Sequence, residues 1–386
     1  MVHPLAGLRI VELARILAGP WAGQVLADLG ADVIKVESPN GDDTRQWGPP
    51  FIDHDGDRSA AYFHAANRGK RSVVADFNEP DDLAFVKELV GTADVVIENF
   101  KRGGLAKFGL DYESLAPANP RLVYCSITGF GQTGPYSSRA GYDFLIQGLS
   151  GIMDLTGDPE GEPQKVGVAF ADIFTGLYSV IAIQAALAQR AETGRGQIID
   201  MALYDAMTGV LANQALNYLA TGVSPTRLGN AHPNIAPYQT LPVADGHFIV
   251  AVGNDTQFAR LVTVLGQPAL AADPRFATNA DRVANRAALT EALELRTRTW
   301  PRDDLLAALE GARVPAGPIY AVAEVFADPQ IKARGMELSI DGLPGVRTPI
   351  VMSDAELSLD KPAPRLGADT ETVKAELKRL RNHAKP

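Results

Sequence analysis

The chain has 386 residues, which exceeds the size at which one hydrophobic core usually stops growing, so two domains are expected. Hydrophobic residues make up 46% and charged residues 21% of the sequence, which excludes an intrinsically disordered chain. The formal net charge of −10, with no basic block to offset it, argues against a nucleic-acid partner.

The cysteine and histidine content restricts the possible chemistry further. The single cysteine, Cys125, excludes an intrachain disulfide framework and a multi-cysteine metal site. The six histidines show no metal-ligand spacing, so no metal is expected. The N-terminus does not resemble a signal peptide, and the uncharged, apolar run 173–189 suits a buried helix better than a membrane span. We therefore expect a cytoplasmic protein without a membrane partner.

The first part of the chain alternates strand and helix patterns. A strand at 8–13, a helix at 21–29 behind Pro20 and a strand at 31–36 form an opening βαβ unit. The predicted elements that follow are a strand at 72–77, a helix at 80–90 started by Asn78, a strand at 94–98, a helix at 104–115 and a strand at 122–127. This alternation predicts an α/β domain of the doubly wound, Rossmann-like type.

A glycine-rich segment, 129–134, follows the strand at 122–127 and reads GFGQTG. It matches the GxGxxG pattern of dinucleotide-binding loops, but a loop sequence follows it where that fingerprint needs a helix. A backbone turn with positive φ, or a loop that approaches a ligand closely, is the better interpretation.

The remaining elements indicate a second, smaller α+β domain. Helices are predicted at 142–153, 173–190 and 203–219, with a strand at 198–201. A Gly, Pro and Asn-rich linker precedes a hairpin of 238–243 and 247–252 and helices that start at Asp255, Arg286 and Arg302. The predicted domains are 1–220 (large, N-terminal part), 221–237 (linker), 238–330 (small domain) and 331–386, a linker and C-terminal return with a helix at 370–381.

Asp172 is the one charged side chain between Lys165 and Arg190. The pattern places it at or near a helix N-terminus, where free N–H groups and the helix dipole favour an anion. A lone carboxylate in an apolar element needs a reason, because its burial is costly. Asp172 is therefore either a plain N-cap or a catalytic carboxylate.

Several blocks, in order, resemble the class III CoA-transferase family, which includes formyl-CoA, carnitine and succinyl-CoA:dicarboxylate transferases and α-methylacyl-CoA racemases. The resemblance covers essentially the whole chain. The matching blocks include LAGPWAGQVLADLGADVIKVE, DVVIENF, SITGFGQTGPY, AGYDFLIQ, GVAFADIFTGLYS and NAHPNIAPYQ. The family's nucleophilic aspartate falls on Asp172, which favours the catalytic interpretation.

The resemblance also implies an architecture and a set of ligand contacts. Family members form a homodimer of two interlocked rings, in which the C-terminus returns to the large domain. CoA and acyl-CoA are substrates, and no permanently bound cofactor is implied. The implied CoA contacts are Ile16, Leu17, Ala18, Ser38, Ala75, Asn99, Phe100, Lys107, Thr128 and Tyr142. Further cations that could meet CoA phosphates are Arg45, Arg68, Lys70, Arg71, Lys101 and Arg102.

One departure from the family pattern separates two activities. The racemases place a His before the Asp of the AGxD block and an acid after the small-domain hairpin, where this chain has Tyr142 and Asn254-Asp255. A tyrosine, whose ordinary pKa is near 10, is a poor base at neutral pH. The resemblance therefore favours CoA transfer to a small, dicarboxylic acid through aspartyl anhydride and aspartyl-CoA thioester intermediates. Racemisation or epimerisation of an acyl-CoA is the alternative, and a nicotinamide-binding oxidoreductase or a non-catalytic CoA-binding protein is more distant.

The acceptor contacts are the least constrained part of the sequence. The NAHPNIAPYQ block looks like that of the succinyl-CoA:dicarboxylate branch and departs from the glycine run of the formyl-CoA branch. Arg227, His232 and Asn234 lie in or near it and could hold a second carboxylate, or they could merely cap the linker.

Overall fold

The computed structural model describes residues 3–383, which form two compact units. The first unit comprises Met1–Ile152, Lys165–Gly222 and Gln330–Pro386, and the second comprises Met153–Gln164 and Val223–Pro329. The predicted boundaries after 220 and 330 lie within two residues of these divisions. Residues 153–164, which the sequence assigned to the large domain, group with the second unit instead, as does nearly all of the predicted linker.

The N-terminal part of the first unit alternates strands and helices. Its elements up to residue 149 are β1 (Arg9–Glu12), α1 (Ala18–Asp28), β2 (Asp32–Glu37), β3 (Phe51–His54), β4 (Asp57–Ala60), α2 (Ala61–Asn67), β5 (Arg71–Val74), α3 (Pro80–Gly91), β6 (Val95–Glu98), α4 (Tyr112–Leu115), β7 (Val123–Thr128) and α5 (Asp143–Leu149). The short helix α6 (Ile152–Leu155) follows at the division from the second unit. Short 3-10 turns cover Asp43–Gln46 and Ala106–Phe108. The unit continues with α7 (Phe170–Thr193), β8 (Ile198–Ala202), α8 (Leu203–Gly209) and α9 (Ala212–Thr221).

The second unit contains a small antiparallel sheet covered by helices. Its elements are β9 (Tyr238–Val243), β10 (Gly246–Ala251), α10 (Asp255–Val264), a 3-10 turn at Pro268–Ala272, α11 (Asn279–Ala284), α12 (Arg286–Thr297), α13 (Arg302–Gly311), β11 (Ala316–Gly317) and α14 (Val322–Ala327). The predicted hairpin is present as β9 and β10, and the three predicted helices begin at the expected residues. Phe248, Phe258 and Leu293 are among the buried side chains of its core.

The chain then returns to the first unit. The last elements are α15 (Pro329–Ala333), β12 (Glu337–Ile340), β13 (Leu343–Val346) and α16 (Thr370–His383). Helix α16 packs on β5 and α3. Glu376 of this helix forms ion pairs with Arg9 and Arg71, which tie it to β1 and β5.

The first unit is built around a six-stranded parallel sheet of order β5-β2-β1-β6-β7-β8. This is the order of doubly wound folds, and it reverses direction between β1 and β6. The mixed α/β class with a parallel central sheet is therefore confirmed.

Alternate residues of the strands fill two cores on opposite faces of the sheet. Ile10 and Val95 join one cluster with α1 and α7, whereas Val11 and Val96 join the other with α3 and α16. Side chains of a strand alternate between faces, so short runs of aliphatic residues supply both cores at once.

Three predicted helices are interrupted. The helix at 104–115 is a 3-10 turn and the short α4, separated at Gly109, which has φ +64°. The helix at 142–153 breaks into α5 and α6 at Gly151, which has φ +84°. The helix at 203–219 divides into α8 and α9 near Ala212, with φ +47°. Helical periodicity does not reveal these breaks because the apolar spacing continues through them.

Helix α7 has the length and apolar composition at which a membrane span is considered, with a mean hydropathy of 1.5 over its most apolar window. Core helices of globular proteins meet the same criterion. Here Ile183 and Ala186 of α7 pack with Val123 of β7 in the core of the first unit. This contact shows that α7 is part of that core.

Candidate active site

The loops that follow β1 and β6 lie side by side where the strand order reverses. The backbone N–H of Arg15 donates to Oδ1 of Asn99 at 2.9 Å, and Nδ2 of Asn99 donates back to the Arg15 carbonyl at 2.7 Å. Open parallel sheets bind ligands outside the carboxyl ends of their strands at such a switch point. Asn99 and the neighbouring Ile16, both predicted CoA contacts, thus occupy this location, and the Asn99 carboxamide braces the loop.

A cavity of about 270 Å³ lies at the same end of the sheet. Three predicted CoA contacts from three strand ends, Ser38, Ala75 and Phe100, line it together. The rest of its wall combines two sets of side chains. The apolar and aromatic ones are Leu13, Val36, Phe77 and Phe108, and the charged or polar ones are Arg15, Lys35, Glu37, Asp42, Asp76 and Asn78. Nζ of Lys107 lies 4.5 Å from the centre of the Phe108 ring, which brings that predicted contact next to the cavity wall.

The start of α1 brings the remaining contacts of the first loop into place. Helix α1 begins at Ala18, and Leu17 precedes it without a side-chain cap. Both side chains are buried, so this segment offers mainly its backbone to a ligand. Ile16 has φ +71°, an unusual conformation for a β-branched residue.

Asp172 lies in the first turn of α7, near the helix N-terminus as predicted. The helix begins at Phe170, and the N-cap position belongs to Ala169. The interpretation of Asp172 as a plain N-cap is therefore wrong, because the residue sits two positions inside the helix.

The capping role falls to a carboxylate that the sequence did not single out. Oδ1 of Asp143, the first residue of α5, accepts hydrogen bonds from the N–H groups of Ala171 at 2.8 Å and Asp172 at 3.4 Å. Gln147, one turn later in α5, donates to Asp143 at 2.7 Å and accepts from the N–H of Val166 at 2.9 Å. The sequence signal that could have identified Asp143 is the AGYD block, in which an acid directly follows Tyr142 at a helix start.

The surroundings of Asp172 raise the pKa of its carboxyl to about 7, first through burial and then through the charge of Asp143. The side chain of Asp172 is only half-buried, so a substrate can still reach its carboxyl. Among the described residues, no side chain stabilises its charge through a hydrogen bond or an ion pair. A carboxylate in this state is destabilised relative to an ordinary surface aspartate.

Helix α7 approaches the first loop closely at Gly176, one turn after Asp172. A Cβ atom at Gly176 would lie 2.7 Å from the carbonyl oxygen of Ala18 and 3.2 Å from Cβ of Trp21. Residues four apart lie on the same face of a helix, so Asp172 faces the same direction as Gly176, toward the start of α1. The candidate nucleophile therefore lies on the face of α7 that contacts the start of α1.

Tyr62 of α2, which the sequence analysis did not identify, also belongs to this region. Burial raises the pKa of its hydroxyl, and the charges of Asp172, Asp143 and Asp42 raise it further. The hydroxyl consequently stays protonated near neutrality. Its ring contacts Trp47 edge to face, with the ring centres 5.3 Å apart.

The glycine-rich segment after β7 positions Thr128 and Tyr142. A Cβ atom at Gly129 would lie 2.5 Å from Cα of Gly141, so the two backbones touch just before α5. Oγ1 of Thr128 accepts a hydrogen bond from the N–H of Gly131, and Tyr142 is 68% exposed. Neither of these two predicted contacts lines the cavity that Ser38, Ala75 and Phe100 share.

The same segment does not form a dinucleotide site. Gly131 and Gly134 have φ +82° and +84°, as a loop with left-handed turns requires. The next helix in the chain, α5, begins only at Asp143, and the segment follows β7 rather than a strand at the switch point. A pyrophosphate-binding helix start is therefore missing where the GxGxxG fingerprint needs it.

Several predicted phosphate-binding cations are engaged elsewhere. The cations of Arg45, Arg68 and Lys70 are buried and pair with Glu37, Asp28 and Glu12, respectively. Arg71 pairs with Asp32 and Glu376. Lys101, Arg102 and Lys107 are exposed and remain candidates.

In the second unit, the residues considered for racemisation and for acceptor binding form contacts that stabilise the local structure. Asn254 caps α10 by accepting from the N–H of Gln257, and Asp255 pairs with Arg282.

Arg227 donates to the carbonyls of Asp154, Asp158 and Gly161 and thereby holds 153–164 to the rest of the unit. The nitrogen Nδ1 of His232 accepts from the N–H of Asn234 at 3.1 Å. These contacts agree with the interpretation in which Arg227 and His232 organise the linker.

Within residues 3–383, no group of three or more His, Cys, Asp or Glu side chains has the arrangement of a metal site. Cys125 is buried in β7, and burial raises the pKa of its thiol.

Comparison with known proteins places this geometry in a family context. A family model described as CoA-transferase family III matches residues 5–370. The chain is 59% identical to the succinate–glutarate CoA-transferase of Agrobacterium fabrum, over 99% of the chain and 98% of that protein. It is 41% identical to the succinyl-CoA:glutarate CoA-transferase of Mus musculus, over 98% of the chain and 87% of that protein. A crystal structure of a CAIB/BAIF family protein from Brucella suis is 69% identical, has a TM-score of 0.90 and covers 98% of the chain and 100% of its own length.

Proposed function

The chain belongs to CoA-transferase family III, and from this premise we propose that it moves CoA from succinyl-CoA to glutarate or a similar dicarboxylic acid, with Asp172 as the nucleophile. The observation that carries the nucleophile assignment is the position of Asp172. Its carboxyl lies in the first turn of α7, on the helix face that contacts the start of α1, with a pKa raised to about 7 and without a stabilising donor among the described residues.

The proposed reaction begins with covalent catalysis by the carboxylate. An oxygen of the ionised Asp172 attacks the thioester carbonyl, the carbon–sulfur bond breaks, and CoA leaves as the thiolate while a mixed anhydride forms. The thiolate then attacks the aspartyl carbonyl of the anhydride. This releases the donor acid as its carboxylate and leaves CoA as a thioester on Asp172.

The second half repeats these steps in reverse with the acceptor. The acceptor carboxylate attacks the aspartyl thioester and displaces the CoA thiolate, which forms a second anhydride. The thiolate then attacks the acyl carbonyl of the acceptor, and the new acyl-CoA and the free Asp172 carboxylate result. No oxidant or reductant is needed, and no proton is consumed overall.

The environment of Asp172 suits this role. A carboxylate that is poorly solvated and repelled by Asp143 is more reactive toward a carbonyl carbon than one held by hydrogen bonds. When Asp172 becomes part of an anhydride or a thioester, it loses its negative charge, and the repulsion from Asp143 is relieved. Asp143 meanwhile holds the N–H groups of Ala171 and Asp172 and so fixes the helix start.

The CoA moiety is proposed to extend from this point across the carboxyl ends of the strands. The cavity with Ser38, Ala75 and Phe100 includes the aromatic rings of Phe77, Phe100 and Phe108, against which a planar base can pack. The exposed cations Lys101, Arg102 and Lys107 lie between β6 and α4 and are suited to the phosphates. Ile16–Ala18 would then meet the part of CoA nearest to the thioester.

We further propose that the enzyme is a homodimer of interlocked rings in the cytoplasm, as the family resemblance implies. Large apolar side chains on α5, α7 and α9 of the first unit support a covered face. Phe144, Ile181, Leu216 and Leu219 are each at least 60% exposed within one chain. A second copy of the chain is the occupant that this proposal assigns to them.

The proposed function is tested by trapping the covalent intermediate. The purified enzyme is incubated with succinyl-CoA, quenched with hydroxylamine and digested, and the peptides are analysed by mass spectrometry. Hydroxylamine converts an aspartyl thioester or anhydride to a hydroxamate, so the expected mass change falls on the peptide that contains Asp172. Production of glutaryl-CoA with the modification on another residue would overturn the nucleophile assignment, and absence of CoA transfer to any dicarboxylate would overturn the function.

A further inference from the structure

The loop between β1 and α1 contains a residue in a strained conformation. Ile16 has φ +71°, in the left-handed region that a β-branched side chain strongly disfavours. Such conformations persist only where the surrounding structure holds them, and they cluster at ligand-binding sites. The surroundings of Ile16 therefore identify the groups that set the shape of this loop.

A buried carboxylate holds the backbone of Ile16. The N–H of Ile16 lies 3.3 and 3.2 Å from the two carboxylate oxygens of Asp42, a residue that is 1% exposed. Asp42 is itself fixed, because Oδ1 accepts from the backbone and side chain of Thr44 at 3.0 and 2.8 Å. Oδ2 lies 2.9 Å from Nζ of Lys35.

Two buried ammonium groups hold the loop on either side of Ile16. Nζ of Lys35 donates to the carbonyl of Ala14 at 2.8 Å, and Nζ of Lys70 donates to the carbonyl of Pro20 at 2.8 Å. Both ammonium groups also contact Glu12, at 3.1 and 2.8 Å. The two lysines balance the two carboxylates, so the cluster is neutral when all four groups are charged.

The electrostatics agree with an ionised Asp42. Burial would raise the pKa of its carboxyl, but the Lys35 ammonium and the hydrogen bonds of Thr44 hold it below its usual range. Burial would likewise lower the pKa of Lys35, and the carboxylates of Glu12, Asp42 and Glu37 hold it above its usual range instead. The acceptor for the Ile16 N–H is therefore a carboxylate, which makes the stronger hydrogen bond.

We infer that Asp42 is a positioning residue for the acyl-CoA site: it holds Ile16 in the left-handed conformation and so shapes the loop that meets the thioester end of CoA. The inference rests on the proposed function, because it takes the Ile16–Ala18 segment as part of the CoA site. Asp42 also contributes to the wall of the cavity that contains Ser38, Ala75 and Phe100. Its hydrogen bond with the Ile16 N–H is the route by which it shapes the loop, and it does not take part in the reaction itself. Its loss therefore weakens CoA binding much more than it slows the bound complex.

The test is a double-mutant cycle, because glycine adopts a left-handed conformation without support. CoA dissociation constants are measured by titration calorimetry, and kcat and KM for succinyl-CoA by product formation, for the wild type, Asp42→Asn, Ile16→Gly and the double variant. We expect Asp42→Asn to raise the dissociation constant and KM at least tenfold and to leave kcat within about threefold. In the Ile16→Gly background, the same change should raise the dissociation constant less than threefold.

Two further variants separate positioning from general destabilisation. Asp28 is also a buried aspartate in an ion pair, with Arg68, but lies at the far end of α1, and Asp28→Asn should lower thermal stability without weakening CoA binding. Asp42→Glu keeps the charge beside Lys35 and moves the carboxylate relative to the Ile16 N–H. It provides the binding measurement if Asp42→Asn does not fold, and it should weaken CoA binding at least fivefold.

The outcomes distinguish this inference from the proposed function. Equal loss of CoA affinity with and without the Ile16→Gly substitution, or folded Asp42 variants with wild-type affinity, would overturn the positioning role alone. A wild-type protein that binds no CoA would overturn the proposed function. Coupling between the two positions together with intact binding in Asp28→Asn supports the inference.

Discussion

Asp143 accepts the N–H of Ala171 at 2.8 Å, so one carboxylate caps the helix whose first turn carries a second carboxylate, Asp172. The two charges repel each other across this cap. The pair is held together because Asp143 accepts hydrogen bonds from backbone N–H groups and from Gln147. The charge of Asp172 has no such partner among the described residues. This asymmetry assigns a structural role to Asp143 and leaves Asp172 available for chemistry.

The raised pKa of Asp172 predicts that the residue destabilises the unliganded protein at neutral pH. Between pH about 4 and 7 the folded state binds the proton more tightly than the unfolded state, so this contribution to stability is lost as pH rises through that window. Asp172→Asn should therefore be more stable than the wild type above pH 7, by at most about 4 kcal/mol, and the difference should vanish near pH 4. Thermal and denaturant midpoints across this pH range measure the effect. Asp205→Asn, which removes an exposed acid from the first turn of α8, serves as the control and should give no comparable gain.

Removal of the nucleophile should abolish transfer while CoA binding persists. Asp172→Ala and Asp172→Asn lose the covalent route, and several kcal/mol of transition-state stabilisation should be lost with it. We expect turnover below about one hundredth of the wild-type rate, with the CoA dissociation constant changed by less than about fivefold. Activity assays with calorimetry on the same samples provide both values, and an Asp172→Ala protein that retains more turnover would contradict the assignment.

The charge of Asp143 should control the pH dependence of the reaction. The reactive form of Asp172 is the ionised one, so kcat/KM should rise with pH through a midpoint set by its pKa, near 7 in the free enzyme. Asp143→Asn keeps an oxygen to cap α7 but removes the charge, so the midpoint should move to lower pH. Asp143→Ala loses the cap as well and should also lower thermal stability by roughly 1 kcal/mol. An unchanged midpoint in the asparagine variant would show that the two carboxylates are not coupled.

The close approach of α7 and α1 should make Gly176 intolerant of a side chain. A methyl group at this position would collide with the Ala18 carbonyl, so Gly176→Ala should cost roughly 1–3 kcal/mol and displace Asp172 from the loop. A Cβ atom at Gly209, at the end of α8, would meet no atom within 4 Å, and Gly209→Ala should be neutral or slightly stabilising. Melting temperatures and kcat for the two variants compare a crowded helical glycine with an open one.

The acceptor preference is predicted to be for dicarboxylates. In a competition assay with succinyl-CoA and equal concentrations of formate, oxalate, carnitine, glutarate and itaconate, glutarate should be preferred. Preference for oxalate or carnitine by more than about tenfold in kcat/KM, or about 1.4 kcal/mol in transition-state binding, would show that the dicarboxylate assignment is wrong.

The sequence predicted the elements with strong periodicity and missed the contacts between distant segments. The βαβ opening, the position of Asp172 near a helix start and the small-domain hairpin follow from local patterns of apolar residues and glycine. The cap by Asp143 joins residues 28 positions apart, and the contact of Asp42 with Ile16 joins residues 26 positions apart. No local pattern encodes such pairs.

Some basic side chains were predicted to bind phosphate from their sequence neighbours alone, although burial decides what a charged side chain pairs with. Arg45, Arg68 and Lys70 looked like phosphate-binding cations because they lie among basic residues in the sequence. The fold buries each of them against a carboxylate, which only the packing of α1, α2 and β2 reveals.

The edge of the large sheet at β5 has a consequence for protein synthesis. The N–H groups of Ser72 and Val74 on this edge donate to the side chains of Asp369 and Thr370, at 2.9 and 3.1 Å, and the first of these bonds spans 297 residues of the chain. A nascent chain that leaves the ribosome from its N-terminus must therefore complete the whole second unit while this edge strand remains uncovered. Unpaired edge groups are templates for pairing with other chains, so this edge stays open to such pairing until residues 369 and 370 have been synthesised and have bound to it.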